Sequence, residues 1–222
     1  MPQNIKRPFD VVIIPGSRHT PQEYWYPQLA NQLTSKGLNV LYPEFPPVER
    51  QTLTNWNSVL ASFENRFTDK TIFVGHSLGG RFLMNYFQDH KAGAVFFVSA
   101  PYERELALWK FYMMSDPEAR NLFENLWKTT NQTFFSEDIN WDKIVDNVKK
   151  IHLFYSENDN LIPLAHAFNI QRRIGGEIHW IKNGRHLDIP LESFPELTET
   201  ILKTYEEINA SNIEGQRKRM RS

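Results

Sequence analysis

Cysteine is absent from the 222-residue chain, which excludes disulfide bonds and any chemistry that uses a thiol. No apolar run approaches the length needed to cross a membrane, and residues 1–10 lack the apolar core of a secretory signal. The formal net charge is −1, which gives no electrostatic reason to expect a nucleic acid or an anionic membrane as a partner. These absences lead us to expect a cytoplasmic protein with no membrane span and no nucleic-acid partner.

Sequence signatures of metal and nucleotide chemistry are missing as well. No pair of the seven histidines has metal-ligand spacing with supporting carboxylates, and no H-E-x-x-H motif occurs. Neither a G-x-G-x-x-G loop nor a Walker loop, which would bind phosphates, is found. We therefore expect no metal site and no cofactor.

Short apolar stretches alternate with helical patterns along most of the chain, which predicts an α/β domain with about six mainly parallel strands flanked by helices. The predicted strands are Phe9–Ile14, Leu38–Tyr42, Thr71–Val74, Ala94–Val98, Ile151–Tyr155 and Glu177–Ile181. The predicted helices cover about residues 20–36, 52–67, 78–90, 141–148, 163–174 and 193–208. We expect residues 1–210 to form a single domain, followed by a basic, disordered tail over residues 211–222.

The alternation is interrupted over residues 103–140, after the fourth strand, by a short helical insertion rich in large apolar side chains. This insertion is either a lid over an apolar pocket or an extra helical layer packed on the core. If it is a lid, Trp109 and Tyr112 are candidate substrate-binding residues. Phe45, in the loop after the second strand, is a candidate for another wall of the pocket.

The pentapeptide Gly75–Gly79, with the sequence G-H-S-L-G, lies between an apolar strand and a helical pattern. This strand–turn–helix context is typical of a nucleophile elbow, in which a serine projects from a tight turn above the sheet edge. Ser77 is therefore the candidate nucleophile. A serine hydroxyl needs an imidazole to take its proton, and the imidazole needs a carboxylate to orient it.

The turns after the fifth and sixth strands supply candidates for these two partners. Asp159 lies in a polar turn just past the fifth strand, and Glu157 in the same turn is the alternative acid. His186 lies in the turn after the sixth strand and is the candidate base. The chain order serine, acid, histidine is the one found in hydrolases built on a parallel sheet.

Cleavage of a carbonyl compound also requires hydrogen-bond donors for the oxyanion. One donor is expected from the backbone N–H of Leu78, which follows the nucleophile. The other is expected from the loop after the first strand, where Gly16 allows a close backbone approach; there we assign the backbone N–H of Ser17.

These motifs resemble the α/β-hydrolase superfamily, and more narrowly the small serine hydrolases of the retinoblastoma-binding-protein-9 type. The resemblance covers roughly residues 9–194. Its matching motifs are the Pro-Gly loop, Trp25-Tyr26-Pro27, Tyr42-Pro43, Gly-His-Ser-Leu-Gly, Val98-Ser99-Ala100, Trp141-Asp142-Lys143-Ile144 and Ser156-x-x-Asp159. It implies an α/β-hydrolase fold, a triad of Ser77, Asp159 and His186, and hydrolysis of small esters or amides without a cofactor. One departure is Arg185-His186-Leu187, where the family commonly has Gly-His-Phe.

Two functions follow from this reading. The first is a serine hydrolase that cleaves a small ester, thioester or amide through an acyl-enzyme on Ser77, with carboxylesterase chemistry favoured over amidase or peptidase chemistry. The second is a non-catalytic α/β-hydrolase-like module that binds another protein. A binding module has no need of all three triad groups, so the sequence favours the enzyme.

Overall fold

Six parallel strands form one sheet at the centre of the computed structural model, which describes residues 7–17, 19–103, 116–118, 120–121, 124–125, 131–188 and 193–219. The strands are β1 (Val11–Ile14), β2 (Val40–Leu41), β3 (Ile72–His76), β4 (Ala94–Val98), β5 (Ile151–Ser156) and β6 (Glu177–Ile181). Their order across the sheet is β2-β1-β3-β4-β5-β6. The predicted α/β class with six strands is confirmed, and each strand lies within two residues of its predicted bounds.

The described helices pack on both faces of this sheet. They are α1 (Tyr26–Ser35), α2 (Leu53–Ala61), α3 (Leu78–Tyr86), α4 (Trp141–Asn147), α5 (Ala165–Ile174) and α6 (Pro195–Arg219). Short 3-10 helices span Val48–Arg50, Glu64–Arg66 and Asn131–Phe135. No helix in these described ranges is long and apolar enough to cross a membrane.

Four helix ends differ from the sequence prediction by four residues or more. Helix α2 ends at Ala61 and not near residue 67, and α3 ends at Tyr86 and not near residue 90. Helix α1 begins at Tyr26 and not at Thr20, because Tyr24 has a φ of +55°, which a right-handed helix excludes. Helix α6 continues to Arg219, so residues 211–219 are helical where we expected a disordered tail. The extension contains no proline, so once α6 has formed, nothing in this stretch forces it to end at Ile208.

The apolar core consists of two layers because successive residues of a strand face opposite sides of the sheet. On one side, Val12 and Phe97 pack with residues of α2, α3, α4 and α5. On the other side, Val11 and Phe96 pack with residues of α1 and α6. The four central strands, β1, β3, β4 and β5, are therefore almost entirely buried, which is why they appear in the sequence as continuous apolar runs. The edge strands β2 and β6 are partly exposed.

The strand order places the candidate residues at one edge of the sheet. Strand β1 has β2 on one side and β3 on the other, so the chain reverses its direction of travel across the sheet at this point. In open parallel sheets, ligands bind outside the carboxyl ends of the strands at such a reversal. Ser17 follows β1 and Ser77 follows β3, so both lie at this position.

Candidate active site

Ser77 occupies a strained turn between β3 and α3. Its φ is +50° and its ψ is −119°, a backbone conformation that a residue other than glycine adopts only when the surrounding structure imposes it. The Ser77 N–H donates to the Val98 carbonyl oxygen at 2.8 Å, which ties the turn to β4. An ideal Cβ on Gly79 would lie 2.5 Å from the Pro15 oxygen and 2.7 Å from the Ile14 oxygen, so only glycine lets α3 approach β1 this closely.

The structure brings Ser77, His186 and Asp159 into one hydrogen-bonded chain. His186 Nε2 lies 2.9 Å from Ser77 Oγ, and His186 Nδ1 lies 3.0 Å from Asp159 Oδ2. The His186 and Asp159 side chains are only 5% and 1% exposed, whereas Ser77 is half-buried and can be reached from outside. This is the arrangement in which an imidazole can take a proton from the hydroxyl while the carboxylate holds the Nδ1–H tautomer.

The acid is fixed by its own turn. Asp159 Oδ1 accepts the backbone N–H groups of Leu161 at 2.7 Å and Ile162 at 2.8 Å, which leaves Oδ2 directed at His186. Glu157, the alternative acid, is exposed two residues earlier. The structure therefore places Asp159 against the base.

The turns that carry the acid and the base are joined by hydrogen bonds. Ser156 Oγ accepts the Gly184 N–H at 2.9 Å and donates to Asn158 Oδ1 at 2.7 Å. Asn158 Oδ1 also accepts the Arg185 N–H at 2.9 Å. Two side chains of the acid turn thus hold the backbone of the base turn, which fixes the distance between the carboxylate and the imidazole.

The base turn is strained on both sides of His186. Asn183, Arg185 and Leu187 all have positive φ values, between 50° and 56°. The indole N–H of Trp25 donates to the Leu187 carbonyl oxygen at 2.6 Å, and this contact joins the turn to the start of α1. Arg185 thus has the left-handed backbone conformation at the position where the family that this sequence resembles commonly has glycine. The replacement of glycine by arginine therefore leaves the path of the base turn possible.

The loop after β1 lies directly beside the nucleophile. An ideal Cβ on Gly16 would be 3.2 Å from the Ser77 Cβ, which shows how near the two backbones are. The Ser17 hydroxyl accepts a hydrogen bond of 2.8 Å from the side-chain amide of Gln51, which is almost fully buried. Leu78 begins α3, so its N–H is one of the donors that an α-helix leaves without an internal partner. Ser17 follows Gly16 in this loop and Leu78 follows Ser77 in the chain, so the two expected oxyanion donors belong to residues next to these neighbouring positions.

A buried hydrogen-bond network, which sequence reasoning missed, connects this loop to the base turn. The Gly16 N–H donates to the Tyr26 hydroxyl oxygen at 3.2 Å, and His19 Nδ1 lies 3.1 Å from the same oxygen. The Tyr26 hydroxyl lies 2.6 Å from His76 Nδ1, and His76 Nε2 lies 2.9 Å from the His186 carbonyl oxygen. Since a carbonyl can only accept, the His76 proton is on Nε2, and Nδ1 accepts from Tyr26.

Burial, with smaller effects from His186 and His19, lowers the pKa of His76 well below its usual value. Burial raises the pKa of the Tyr26 hydroxyl, so it keeps the proton that it donates. The G-H-S-L-G pattern by itself assigns no role to His76. The one available signal was that a fully buried imidazole needs partners for both of its nitrogens.

Of the three candidate substrate-binding residues, Phe45 is the one the structure describes. It is half-buried, and its ring lies 4.5 Å from that of Trp56 and 6.1 Å from that of Phe82. Phe45 is thus part of an aromatic group that packs on α2 and α3. Trp109 and Tyr112 lie outside the described residues, as does the rest of residues 104–115 in the predicted insertion.

A family model described as "Serine hydrolase" matches residues 11–201, a range that contains Ser77, Asp159 and His186. The chain belongs to the serine hydrolase family. Its fold is therefore that of the α/β-hydrolase superfamily, as the elbow and the turns after β5 and β6 predicted. The narrower likeness to the retinoblastoma-binding-protein-9 type stays a prediction.

Proteins similar to this serine hydrolase include YdeN from Bacillus subtilis (strain 168), which is 22% identical over 180 residues, covering 79% of this chain and 84% of YdeN. The crystal structure of the ydeN gene product superposes with a TM-score of 0.74 at 19% identity, over 89% of this chain and 99% of that one. Est1E from Butyrivibrio proteoclasticus, solved with ferulic acid bound, gives a TM-score of 0.64 at 16% identity, with coverages of 95% and 93%. The esterase RhEst1 from Rhodococcus sp. ECU1013 superposes with a TM-score of 0.59 at 15% identity, over 91% of this chain and 90% of RhEst1. These structures share the fold.

Proposed function

We propose that this protein cleaves a small ester, thioester or amide through an acyl-enzyme on Ser77. The observation that carries the proposal is the position of His186, whose two ring nitrogens lie 2.9 Å from Ser77 Oγ and 3.0 Å from Asp159 Oδ2. A purely structural histidine has no reason to connect a strained, half-buried serine to a buried carboxylate. The family match supports hydrolysis as the reaction class.

In the first half of the proposed reaction, Ser77 Oγ attacks the carbonyl carbon of the substrate while His186 Nε2 takes the hydroxyl proton. Asp159 stabilises the imidazolium that forms, and its two backbone donors keep its carboxylate in place. The tetrahedral intermediate then collapses: the bond to the leaving group breaks, and His186 gives its proton to the departing alcohol, thiol or amine.

The negative charge of the tetrahedral intermediate falls on the former carbonyl oxygen. We assign its stabilisation to the backbone N–H groups of Ser17 and Leu78, which flank the nucleophile. Backbone donors that are fixed before the reaction are effective because they need no rearrangement as the charge develops. The hydrogen bond from Gln51 to Ser17 Oγ holds one of these two residues in place.

In the second half, a water molecule replaces the leaving group. His186 takes a proton from this water, which attacks the acyl carbon, and the tetrahedral intermediate again collapses, now with Ser77 Oγ as the leaving group. His186 returns the proton to Ser77, and the carboxylic acid is released. The cycle consumes one water and needs no cofactor.

Among the candidate substrates we favour carboxylic esters over amides and peptides. Two of the similar structures are an esterase and a protein with ferulic acid bound, a carboxylic acid of the kind that ester cleavage releases. The Phe45 ring lies against Phe82 of α3. We propose that Phe45, Trp109 and Tyr112 line an apolar pocket for the acyl or alcohol part of the substrate.

Labelling with a fluorophosphonate probe tests this proposal directly, because such probes react only with a serine that a neighbouring base activates. We expect the wild-type protein to be labelled, Ser77→Ala to be unlabelled, and the matched control Ser58→Ala, on the exposed side of α2, to be labelled like the wild type. Peptide mapping is expected to place the adduct on Ser77.

Absence of labelling in wild-type protein with a normal circular dichroism spectrum would overturn the proposal and favour the protein-interaction module. Labelling that survives in Ser77→Ala would show that a different nucleophile is active. If labelling succeeds, an ester and thioester panel of increasing acyl length then measures the preferred substrate.

A further inference from the structure

Two histidines and a glutamate meet near the amino ends of β5 and β6, away from the edge that carries Ser77. His152 and Glu177 are partners in the parallel register, and His179 lies two residues further along β6, so all three side chains share one face. His152 Nδ1 lies 3.1 Å from His179 Nε2. The Glu177 Oε2 atom lies 3.7 Å from the first nitrogen and 3.8 Å from the second.

We propose that His152, Glu177 and His179 bind a divalent transition-metal ion, with Zn²⁺ as the preferred occupant. In a tetrahedral zinc site with bonds of about 2.0–2.1 Å, neighbouring donor atoms lie about 3.3 Å apart. The three distances in this cluster fall on either side of that value. The Glu177 side chain is 68% exposed, so it has room to move its carboxylate toward the two nitrogens when an ion binds.

The donor set selects the class of metal. Two imidazole nitrogens with one carboxylate oxygen suit zinc, copper or nickel, whereas calcium and magnesium prefer sites built from oxygen alone. Three protein ligands leave a fourth tetrahedral position, and the 68% exposure of the Glu177 side chain places the cluster within reach of solvent. A water molecule would complete the coordination.

The imidazoles are already oriented by contacts beyond the donor atoms. The His152 ring stacks on Phe96 at 4.5 Å, and the His179 ring stacks on Phe154 at 4.2 Å. His152 Nε2 lies 3.1 Å from the Thr204 hydroxyl of α6. A histidine that binds a metal through one nitrogen commonly donates its other N–H to such a partner, which fixes the tautomer and the ring plane.

The charges around the cluster also favour a cation. Lys150 and Glu207, the other charged groups near His152, are paired with each other. The carboxylate of Glu177 therefore supplies the negative charge beside the two ring nitrogens.

The sequence concealed this cluster, because its ligands lie on two different strands. His152 and Glu177 are 25 positions apart and become neighbours only through the register of β5 and β6. The prediction of no metal site considered spacing along the chain, where these residues form no recognisable motif.

Metal binding is best measured on the full chain without a polyhistidine tag, after treatment with a chelator. Isothermal titration with Zn²⁺ is expected to give one saturable site, and Co²⁺ is expected to produce the visible absorption bands of a four-coordinate site with nitrogen and oxygen ligands. Glu177→Gln and His179→Gln remove a ligand near the surface, so both should fold. Each should weaken Zn²⁺ binding by more than about 10-fold, the lower limit for changes even in outer-shell partners.

His90→Gln is the matched control, since His90 is half-exposed and pairs with Glu64 elsewhere on the molecule. It should bind Zn²⁺ like the wild type, and so should Ser77→Ala, because this site is independent of the proposed hydrolase reaction. A wild-type protein with no saturable site would show that the cluster is only a hydrogen-bonded histidine pair. Binding that Glu177→Gln and His179→Gln leave unchanged would also overturn the proposal, since the ion would then lie elsewhere.

Discussion

His76 Nε2 donates a hydrogen bond of 2.9 Å to the backbone carbonyl oxygen of His186, so the residue before the nucleophile holds the turn that carries the base. The nucleophile turn and the base turn are therefore connected in two ways. The His76 side chain holds the backbone of His186, and the His186 side chain lies 2.9 Å from Ser77 Oγ. Tyr26 completes the link by donating to His76 Nδ1. His76 contacts no reacting atom in the proposed mechanism, so we regard it as a positioning residue.

Replacing His76 with leucine is expected to lower kcat by about 10–100-fold with little change in KM, because a misplacement of the base by about 1 Å can cost two orders of magnitude. Tyr26→Phe should have a smaller effect, since the bond from His76 to His186 persists. Rates should be normalised to the number of sites that react with a fluorophosphonate. An effect confined to thermal stability, with normal kcat per reactive site, would assign His76 a purely structural role.

Asp159→Asn should reduce kcat by roughly three to four orders of magnitude, because an amide cannot stabilise the imidazolium and favours the wrong tautomer. His186→Ala should cause a loss of similar size. Since Asp159 makes two backbone hydrogen bonds through Oδ1 that an amide oxygen can also accept, the Asn variant should keep its fold. Steady-state kinetics on an activated ester measures both variants.

Glu157→Gln is the control for the acid assignment, because Glu157 is exposed in the same turn. It should retain wild-type kcat. The assignment of Asp159 fails if Asp159→Asn retains full activity and Glu157→Gln loses it.

Most of the sheet could be predicted from sequence because its central strands, β1, β3, β4 and β5, are buried on both faces. A continuous apolar run such as Val11–Ile14 has few alternative structures in a chain of this length, and turn residues mark where it stops. The elbow at Ser77 and the turns of Asp159 and His186 were equally predictable, since parallel strands bring their carboxyl ends to one edge. Local pattern and topology were sufficient for these features.

The remaining features depend on contacts between distant residues. The bond from His76 to a backbone carbonyl leaves no trace in the sequence, because every residue at position 186 would offer that carbonyl. The group of His152, Glu177 and His179 depends on the register of two strands, which apolar patterning sets only coarsely. The start of α1 depends on the positive φ of Tyr24, whose side chain packs against the apolar layer beneath α1 and α6.

Stability is expected to fall on mild acidification because two buried histidines resist protonation. Burial lowers the pKa of His152 to about 4 and holds the pKa of His76 well below its usual value. In the unfolded chain both groups bind a proton below about pH 6.5, so the unfolded state takes up more protons. The free energy of unfolding that depends on these two histidines is fully present above that pH. It falls as the pH drops toward 4, by up to about 1.4 kcal/mol per pH unit for each group.

Urea unfolding midpoints measured between pH 7 and pH 4 test this expectation. Carboxylates also titrate in this range, so the informative quantity is the difference between wild type and His152→Gln, which should shrink as the pH falls. Ser58→Ala, which changes an exposed side chain that does not titrate, should follow the wild-type curve in parallel. Parallel curves for His152→Gln and wild type would contradict the assignment of His152 as a neutral buried group.

Two glycines near Ser77 should respond differently to alanine, because their neighbours differ in how far they can yield. A Cβ on Gly79 would lie 2.5 Å from the Pro15 oxygen, a backbone atom, so α3 must move, and we expect a loss of about 1–3 kcal/mol of stability, the usual cost of overpacking. A Cβ on Gly16 would lie 3.0 Å from His19 Nδ1 and 3.1 Å from His76 Nδ1. These two side chains need to shift by only a few tenths of an ångström to make room for it.

Gly16→Ala should therefore unfold near the wild-type temperature yet lose activity, because those small shifts act on the loop that carries Ser17 and on the imidazole that holds the base turn. Displacing one oxyanion donor is expected to lower kcat by up to about 100-fold, near the lower end of the cost of removing such a donor. Differential scanning calorimetry and kinetics on the two variants separate the effects. If Gly16→Ala kept full kcat, the assignment of the Ser17 N–H as an oxyanion donor would fail.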